Sequence, residues 1–272
     1  MNNLAAVYSD SIQRWQCTFL GTGDSLGVPR VYCDCDVCAE ARSTGNNRRL
    51  RSSVLVHRGE HQLMIDCGPD WTTQMEMNGL RWVSEIIITH AHYDHIAGLP
   101  AYADACRWLQ RKGSVRAPQE VLDQILRMYP WLVSTIEFTA IESSWQWYDW
   151  TIIPGKVNHG KNGYSYAYRF ERASTEGAYN WVYASDAINL NQEELKLFRK
   201  LNTLVLGTSF YHEPYSFETR SVYDMVEALE LLNTLQPQNT IFTHMSHDVD
   251  CRKPYPLPPH VQLADTGLTI HV

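Results

Sequence analysis

Ile86, Ile87 and Ile88 stand in an unbroken row, and close behind them come His90, His92, Asp94 and His95. Side chains alternate across a strand, so three adjacent β-branched residues suit a strand whose two faces are both covered. Such a strand needs a layer on each side, which restricts the chain to sheets sandwiched by other elements. The loop at the carboxyl end of a strand like this is where α/β folds hold ligands. His90 and His92 lie two apart in extended chain and point the same way. Asp94 and His95 open the following helix and face a second point about 3.5–4 Å away, the spacing of paired hydrolytic ions.

His159, Asp186 and His244 each close a further predicted strand, in IIPGKVNH, WVYASD and TIFTH. Singly, each has an ordinary structural role open to it, such as a turn or a helix cap. Together with the first four they form a set suited to two five- or six-coordinate divalent ions, Zn²⁺ or Mn²⁺, that share a carboxylate.

The rest of the chain alternates strand-like and helix-like segments. QCTFLG, SSVLVHR, HQLMID, WYDWTIIPGKVNH, YSYAYRFER, NWVYASD, LNTLVLGTS and NTIFTHMSH read as strands. Residues 71–78 and 94–110 read as helices, as do PQEVLDQILRMY, NQEELKLFRKL and SVYDMVEALELLNTL, with Pro118 suited to a first turn. Residues 30–49 read as irregular. This order implies an α/β or α+β architecture. With 272 residues, 44% of them hydrophobic, there is ample core, and no linker or low-complexity stretch divides it. One domain is expected over residues 16–272, with residues 1–15 as a polar extension. The aromatic stretch SSWQWYDW is left open among core, substrate wall and dimer contact, so a homodimer stays open too.

A net charge of −7 argues against a life on nucleic acid, which needs a basic surface. No apolar run reaches the ~18 residues of a membrane span, so no membrane partner is expected. The first residues show no basic, then apolar, secretion signal.

Cys33, Cys35 and Cys38 lie within six positions, flanked by Asp34 and Asp36 rather than by apolar residues. Three thiolates so close suit one ion, and with an imidazole they complete a closed tetrahedral zinc site of the structural kind. His247 is the fourth ligand expected, so one short segment would serve two centres through His244 and His247. Cys17, Cys67, Cys106 and Cys251 read as structural. Such cysteine usage points to a reducing, cytoplasmic compartment rather than a disulfide framework.

The order of FLGTGDSLGVPRVYCDCDVCAEA, RRLRSS, MIDCG, THAHYDHIAGL, NHGKNGYSYAY, YASD and FTHMSH resembles the metallo-β-lactamase superfamily. Within it, the chain resembles the branch that holds the phosphoribosyl 1,2-cyclic phosphate phosphodiesterase of the carbon–phosphorus lyase pathway. The likeness runs from about Gln16 to Val272. It implies a metallo-β-lactamase αββα sandwich, two mixed β-sheets flanked by helices, with the site at one edge. It also implies that Asp66 orders the metal-binding loop. One ion would take His90, His92, His159 and Asp186, the other Asp94, His95, Asp186 and His244, with Asp186 bridging. Cys33, Cys35, Cys38 and His247 would form a zinc knuckle. The branch carries a further active-site histidine just before the helix that precedes the last ligand strand. Here Glu218, Thr219 and Arg220 stand at that place. Either the loop folds His212 in, or Arg220 takes over the charge-stabilising part.

The expected function is metal-dependent hydrolysis of a small cyclic or otherwise activated phosphodiester. Two ions acidify a water between them and neutralise the charge that grows at phosphorus. Asp94 and His212 are the catalytic candidates, His212 as the acid that protonates the leaving alkoxide. The Gly21-Thr22-Gly23 loop is either an anion-facing set of N–H groups or a plain turn. Arg48, Arg49 and Arg51 either steer an anion or lie on a solvated surface. Alternatives are a nuclease resembling the tRNA 3′-processing endonucleases, hydrolysis of an ester, lactone or lactam, and a binding role without catalysis.

Overall fold

The computed structural model describes residues 14–173 and 177–272, so residues 1–13 of the expected extension lie outside the described residues. Among the described residues there are fourteen strands: β1 Gln16–Gly21, β2 Ser53–Arg58, β3 His61–Ile65, β4 Glu85–Ile87, β5 Gly113–Ala117, β6 Ile136–Ala140, β7 Trp145–Trp147, β8 Trp150–Asn158, β9 Tyr164–Arg172, β10 Tyr179–Ala184, β11 Thr203–Gly207, β12 Asn239–Thr243, β13 Val261–Leu263 and β14 Thr269–His271. They form two seven-stranded sheets, ordered β14-β1-β2-β3-β4-β5-β6 and β13-β12-β11-β10-β9-β8-β7. Strands β3 to β6 run parallel, as do β10 to β13, and the remaining neighbours are antiparallel. Helices are α1 Asp36–Ser43, α2 Trp71–Met77, α3 Tyr93–Ile96, α4 Leu99–Trp108, α5 Gln119–Met128 and α6 Met225–Leu235.

The strand alternation explains the layering. Val54, Val56, Leu63, Ile65 and Ile87 face the second sheet, where they meet Tyr168, Phe170, Trp181, Tyr183, Val205 and Ile241. Their neighbours Leu55, Met64, Ile86 and Ile88 face outwards onto α2, α4 and α5. Val182, Ala184, Leu204, Leu206 and Phe242 likewise face outwards onto α6. Both faces of these strands are therefore dry, as the isoleucine row required, and the result is an αββα sandwich of two mixed sheets. Trp147 and Trp150 belong to the inter-sheet core together with Trp15, which settles that part of the tryptophan-rich stretch as core.

Several local expectations need correction. The helix read over residues 94–110 is two helices, α3 and α4, parted at Ala97-Gly98. A Cβ on Gly98 would stand 2.3 Å from the Gly68 carbonyl oxygen, so this backbone must press on the loop after β3. NQEELKLFRKL forms only a 3-10 turn, Glu194–Phe198. Residues 30–49 are not wholly irregular, since α1 lies within them. The strand read in WYDWTIIPGKVNH is a hairpin turned at Tyr148, which takes a positive φ of 54°. Pro118 caps α5 from outside its first turn. Strands β5, β6, β13 and β14 escaped the sequence reading, being short and only partly apolar. Among the described residues, no helix is long and apolar enough to cross a membrane.

Candidate metal centre

Strand β4 ends at Ile87, and the chain then runs as a loop into α3, with His92 as its N-cap in extended conformation. Asp66, just past β3, fixes that loop. It is fully buried and holds a left-handed backbone, φ 64°, a costly state for a residue with a Cβ. Its Oδ1 accepts the Thr89 N–H at 2.8 Å, and the Thr89 hydroxyl donates to it at 3.0 Å. Its Oδ2 accepts from His95 Nδ1 at 2.7 Å. In the neutral ring that bond keeps the proton on Nδ1 and would leave the Nε2 lone pair for an ion. Burial pushes the Asp66 pKa up, against the pull of His95 and the Thr89 donors.

His159 and His90 are oriented in a similar way. His159 Nδ1 donates to the Ser221 carbonyl at 2.7 Å, which frees Nε2. His90 turns Nδ1 to the Thr89 hydroxyl at 3.0 Å, and its Nε2 lies 2.8 Å from His92 Nδ1. His244 follows β12 with φ 59°, a second strained residue in the site.

The side chains gather into groups whose ligand atoms all lie within 4.8 Å of one another: His90, His92 and His159; Asp94, His95 and His244; and His90, His95 and Asp186, which spans the other two. Asp186 Oδ1 stands 3.7 Å from His159 Nε2 and 3.3 Å from His244 Nε2, while Oδ2 stands 3.3 Å from His95 Nε2. His95 Nε2 is 3.0 Å from Asp94 Oδ2. Atoms about 2.1 Å from a common ion sit about 3.0 Å apart at a right angle and about 3.4 Å apart at the tetrahedral angle. These separations suit donors around shared ions. His95 Nε2, Asp186 Oδ2 and both ring nitrogens of His244 are buried, with no hydrogen-bond partner among the described residues. Buried polar atoms left so are costly, and divalent cations would satisfy His95 Nε2, His244 Nε2 and Asp186 Oδ2. The residues present therefore fit the group.

Charge makes protons compete for the same atoms. Burial opposes ionisation of Asp94 and Asp186, yet the surrounding imidazoles hold both carboxyls well below the usual range. Burial disfavours a charged His244, but Asp186 and Asp94 raise its pKa to about 8, and they raise His95 as well. An ion needs these nitrogens neutral. Below about pH 8 it must expel a proton from His244, so its apparent affinity should fall as the pH drops, by up to about tenfold per unit for each proton displaced. Chelator competition from about pH 8 down to about pH 6 tests this, and a flat affinity would contradict it.

The second cluster comes together as the spacing implied. His247 Nδ1 lies 3.3 Å from Cys33 Sγ and 3.4 Å from both Cys35 Sγ and Cys38 Sγ. Zinc bonds of about 2.05 Å to nitrogen and 2.3 Å to sulfur at the tetrahedral angle put those atoms about 3.6 Å apart. Helix α1 supplies Cys38 from its first turns and takes Cys35 as its N-cap. Burial pushes the Cys38 thiol up to about 11, so zinc would take up the thiolate at the expense of a proton.

Other candidates sit differently. His212 is 73% exposed, with Nδ1 3.3 Å from the buried Asp224 carboxylate, and it joins none of the clusters. Arg220 is buried among Glu213, Asp224 and Glu227, which occupy its guanidinium. The Gly23 and Asp24 N–H groups donate to the Leu50 and Met245 carbonyls, so these two bridge remote segments instead of facing an anion. Arg51 pairs with Asp70 at 3.1 Å, and Arg48 donates to the Ala41 carbonyl. Arg49 is neither steering nor solvated but buried, and nothing in its local sequence signals that.

Two mixed sheets face to face, with a histidine–aspartate cluster at the carboxyl ends of β4, β8, β10 and β12, are the architecture of the metallo-β-lactamase fold. Residues 61–245 match the family model described as the beta-lactamase superfamily domain, and the chain belongs to that family. It is 27% identical to a protein of Porphyromonas gingivalis named octanoyltransferase, over 93% of this chain but 51% of that one. A ribonuclease Z of a Bradyrhizobium species is 30% identical over 32% of this chain and 30% of its own length. The chain thus spans about half or less of these curated relatives. Among solved structures, a new diphosphatase from the PhnP family superimposes with TM-score 0.81 at 27% identity, covering 94% of this chain and 97% of that one. Zinc-bound PqqB of Methylobacterium extorquens gives 0.75 at 14% identity, covering 94% and 100%, a likeness of fold.

Proposed function

We propose that the chain hydrolyses a small activated phosphodiester or diphosphate at a dinuclear centre held by His90, His92, Asp94, His95, His159, Asp186 and His244. The observation that carries the reading is Asp186, which reaches ligand nitrogens of both triads within 3.7 Å. Two divalent ions there would supply Lewis acidity and a water ionised near neutral pH. Asp94 and Asp186 give the site oxygen donors, which suit hard ions and a phosphoryl group. Asp66 keeps His95 in the ligating tautomer, and the Ser221 carbonyl does the same for His159. The likeness to a diphosphatase along nearly the whole chain supports phosphorus over carbon as the centre attacked.

His212 is the proposed proton donor to the leaving group. Asp224 holds its Nδ1, so Nε2 would carry the proton that is given up. A general acid matters only for a leaving group that needs a proton. His212→Asn should lower turnover of a ribose cyclic phosphate by about 10²-fold or more. It should barely touch bis(p-nitrophenyl) phosphate, whose phenolate leaves unprotonated. Equal losses on both substrates would remove His212 from this role.

The octanoyltransferase name of the Porphyromonas gingivalis relative favours a second reading, acyl chemistry at the same centre. A hydrolysis panel on metal-loaded protein separates the two. It compares bis(p-nitrophenyl) phosphate, 2′,3′-cyclic nucleotides, ribose 1,2-cyclic phosphate, a dinucleoside diphosphate, a lactone, an octanoyl thioester and a tRNA precursor. Turnover confined to the lactone or thioester would overturn the phosphoryl reading.

A further inference from the structure

Arg49 is a buried cation, and among the described residues no carboxylate pairs with it. A buried charge is expensive, so what it holds matters. Its Nη2 donates to the Ser246 and Val249 carbonyls, each at 2.8 Å. Its Nη1 donates to Cys251 Sγ at 2.8 Å and to Asn47 Oδ1 at 3.3 Å. The guanidinium therefore grips the turn that begins between His244 and His247.

The backbone of Arg49 faces the other centre. Its N–H and carbonyl pair with Val28, both at 2.9 Å. Val28 packs with Cys38 and Ala41 in the small core that carries the cysteine cluster. On the other side, Met245 N–H donates to the Thr22 carbonyl and Ser246 N–H to the Ser209 carbonyl, both at 2.9 Å. Residues 244–249 are thus pinned from several directions, and His244 keeps its left-handed backbone only while that pinning lasts.

We propose that Arg49 is a positioning residue which couples the cysteine cluster to His244, so that a filled cluster tightens the hold of the histidine–aspartate site on its ions. The inference rests on the metal-binding reading of both clusters. His247 anchors the segment to the thiolates, Arg49 braces the turn on either side of it, and His244 inherits the geometry. Neither cluster shares a ligand with the other, and the segment from His244 to His247 is the direct covalent link between them.

The test follows ion release rather than turnover. Full-length, metal-loaded protein is challenged with a chelator, and ions leaving each site are counted over time by elemental analysis. Arg49→Met should release the histidine–aspartate ions about tenfold faster than wild type while keeping the cluster zinc. Cys35→Ser, with its cluster emptied, should show the same acceleration, and the double variant should be no faster than either single one. Arg48→Ala, whose guanidinium donates to the Ala41 carbonyl of α1 and not to the turn after His244, should release at the wild-type rate. If Arg49→Met does not fold, Arg49→Lys carries the comparison, since it keeps the charge but cannot span both carbonyls and the sulfur. Wild-type release rates in the arginine variant, or additive effects in the double variant, would overturn the coupling. Wild-type protein that takes up no ions at the histidine–aspartate site would instead overturn the metal reading beneath it.

Discussion

Replacing Asp186 with alanine is expected to abolish hydrolysis and to lower ion occupancy in both triads, while the cysteine cluster keeps its zinc. The carboxylate lies within 3.7 Å of His159 Nε2 and within 3.3 Å of the His95 and His244 Nε2 atoms. Without it, two cations would face each other with one fewer shared anion, and each would lose a donor. Groups that only orient a ligand are worth about 10–100-fold, so a shared ligand should cost on the order of 10³-fold or more. The loss should be local, because the Asp186 carbonyl still accepts the Ser165 hydroxyl in the alanine variant. Asp66→Asn offers a graded comparison, since it touches His95 but no ion, and should fall within the 10–100-fold range. Near-wild-type turnover in Asp186→Ala would leave Asp186 as a turn residue and remove the bridge from the account.

The second large effect separates the two centres by their physics. A closed thiolate site contributes its binding free energy directly to folding, whereas a centre open to water chiefly serves chemistry. Cys35→Ser should therefore cost stability first. A loss of about 3 kcal/mol would lower Tm by roughly 6–12 °C in a chain of this size. His92→Ala should cost activity first and leave the melt near that of wild type. His247→Ala should follow Cys35→Ser, because its Nδ1 meets all three sulfurs within 3.4 Å. His244→Ala, three residues earlier, should follow His92→Ala. Thermal melts and turnover on the four variants decide the matter. A Cys35→Ser protein that melts like wild type yet loses all activity would move the cysteines into the chemistry.

The local parts of the two clusters were legible because a short stretch of chain fixes what its side chains can reach, while His159, Asp186, His244 and His247 lie far along the chain. His90, His92, Asp94 and His95 fall on one strand-to-helix turn, and the three cysteines fall within one turn and a loop. The isoleucine row revealed a strand dry on both sides, whereas the αββα arrangement was readable only through the family resemblance. Other features depend on partners remote in sequence. Gly98 breaks a good helical pattern because the Gly68 carbonyl stands where its Cβ would be. Strands β5 and β6 are five residues each and are held by pairing with parallel neighbours. Arg49 reads as one of several basic residues near Arg48 and Arg51, and only the turn after His244, some 200 positions away, makes it a buried brace. Asp66 was readable through the family resemblance, but its hold on Thr89 and His95 required the fold.

The central claim is that two ions in the histidine–aspartate site, separate from the cysteine zinc, carry phosphodiester hydrolysis. It is tested most directly by stripping those ions while the cluster zinc stays in place, then titrating Mn²⁺ or Zn²⁺ back and following hydrolysis of bis(p-nitrophenyl) phosphate. The account predicts little activity after the first equivalent and full activity as the second is bound, with none recovered in Asp186→Ala. Full activity at one equivalent, or turnover unchanged by stripping, would contradict it.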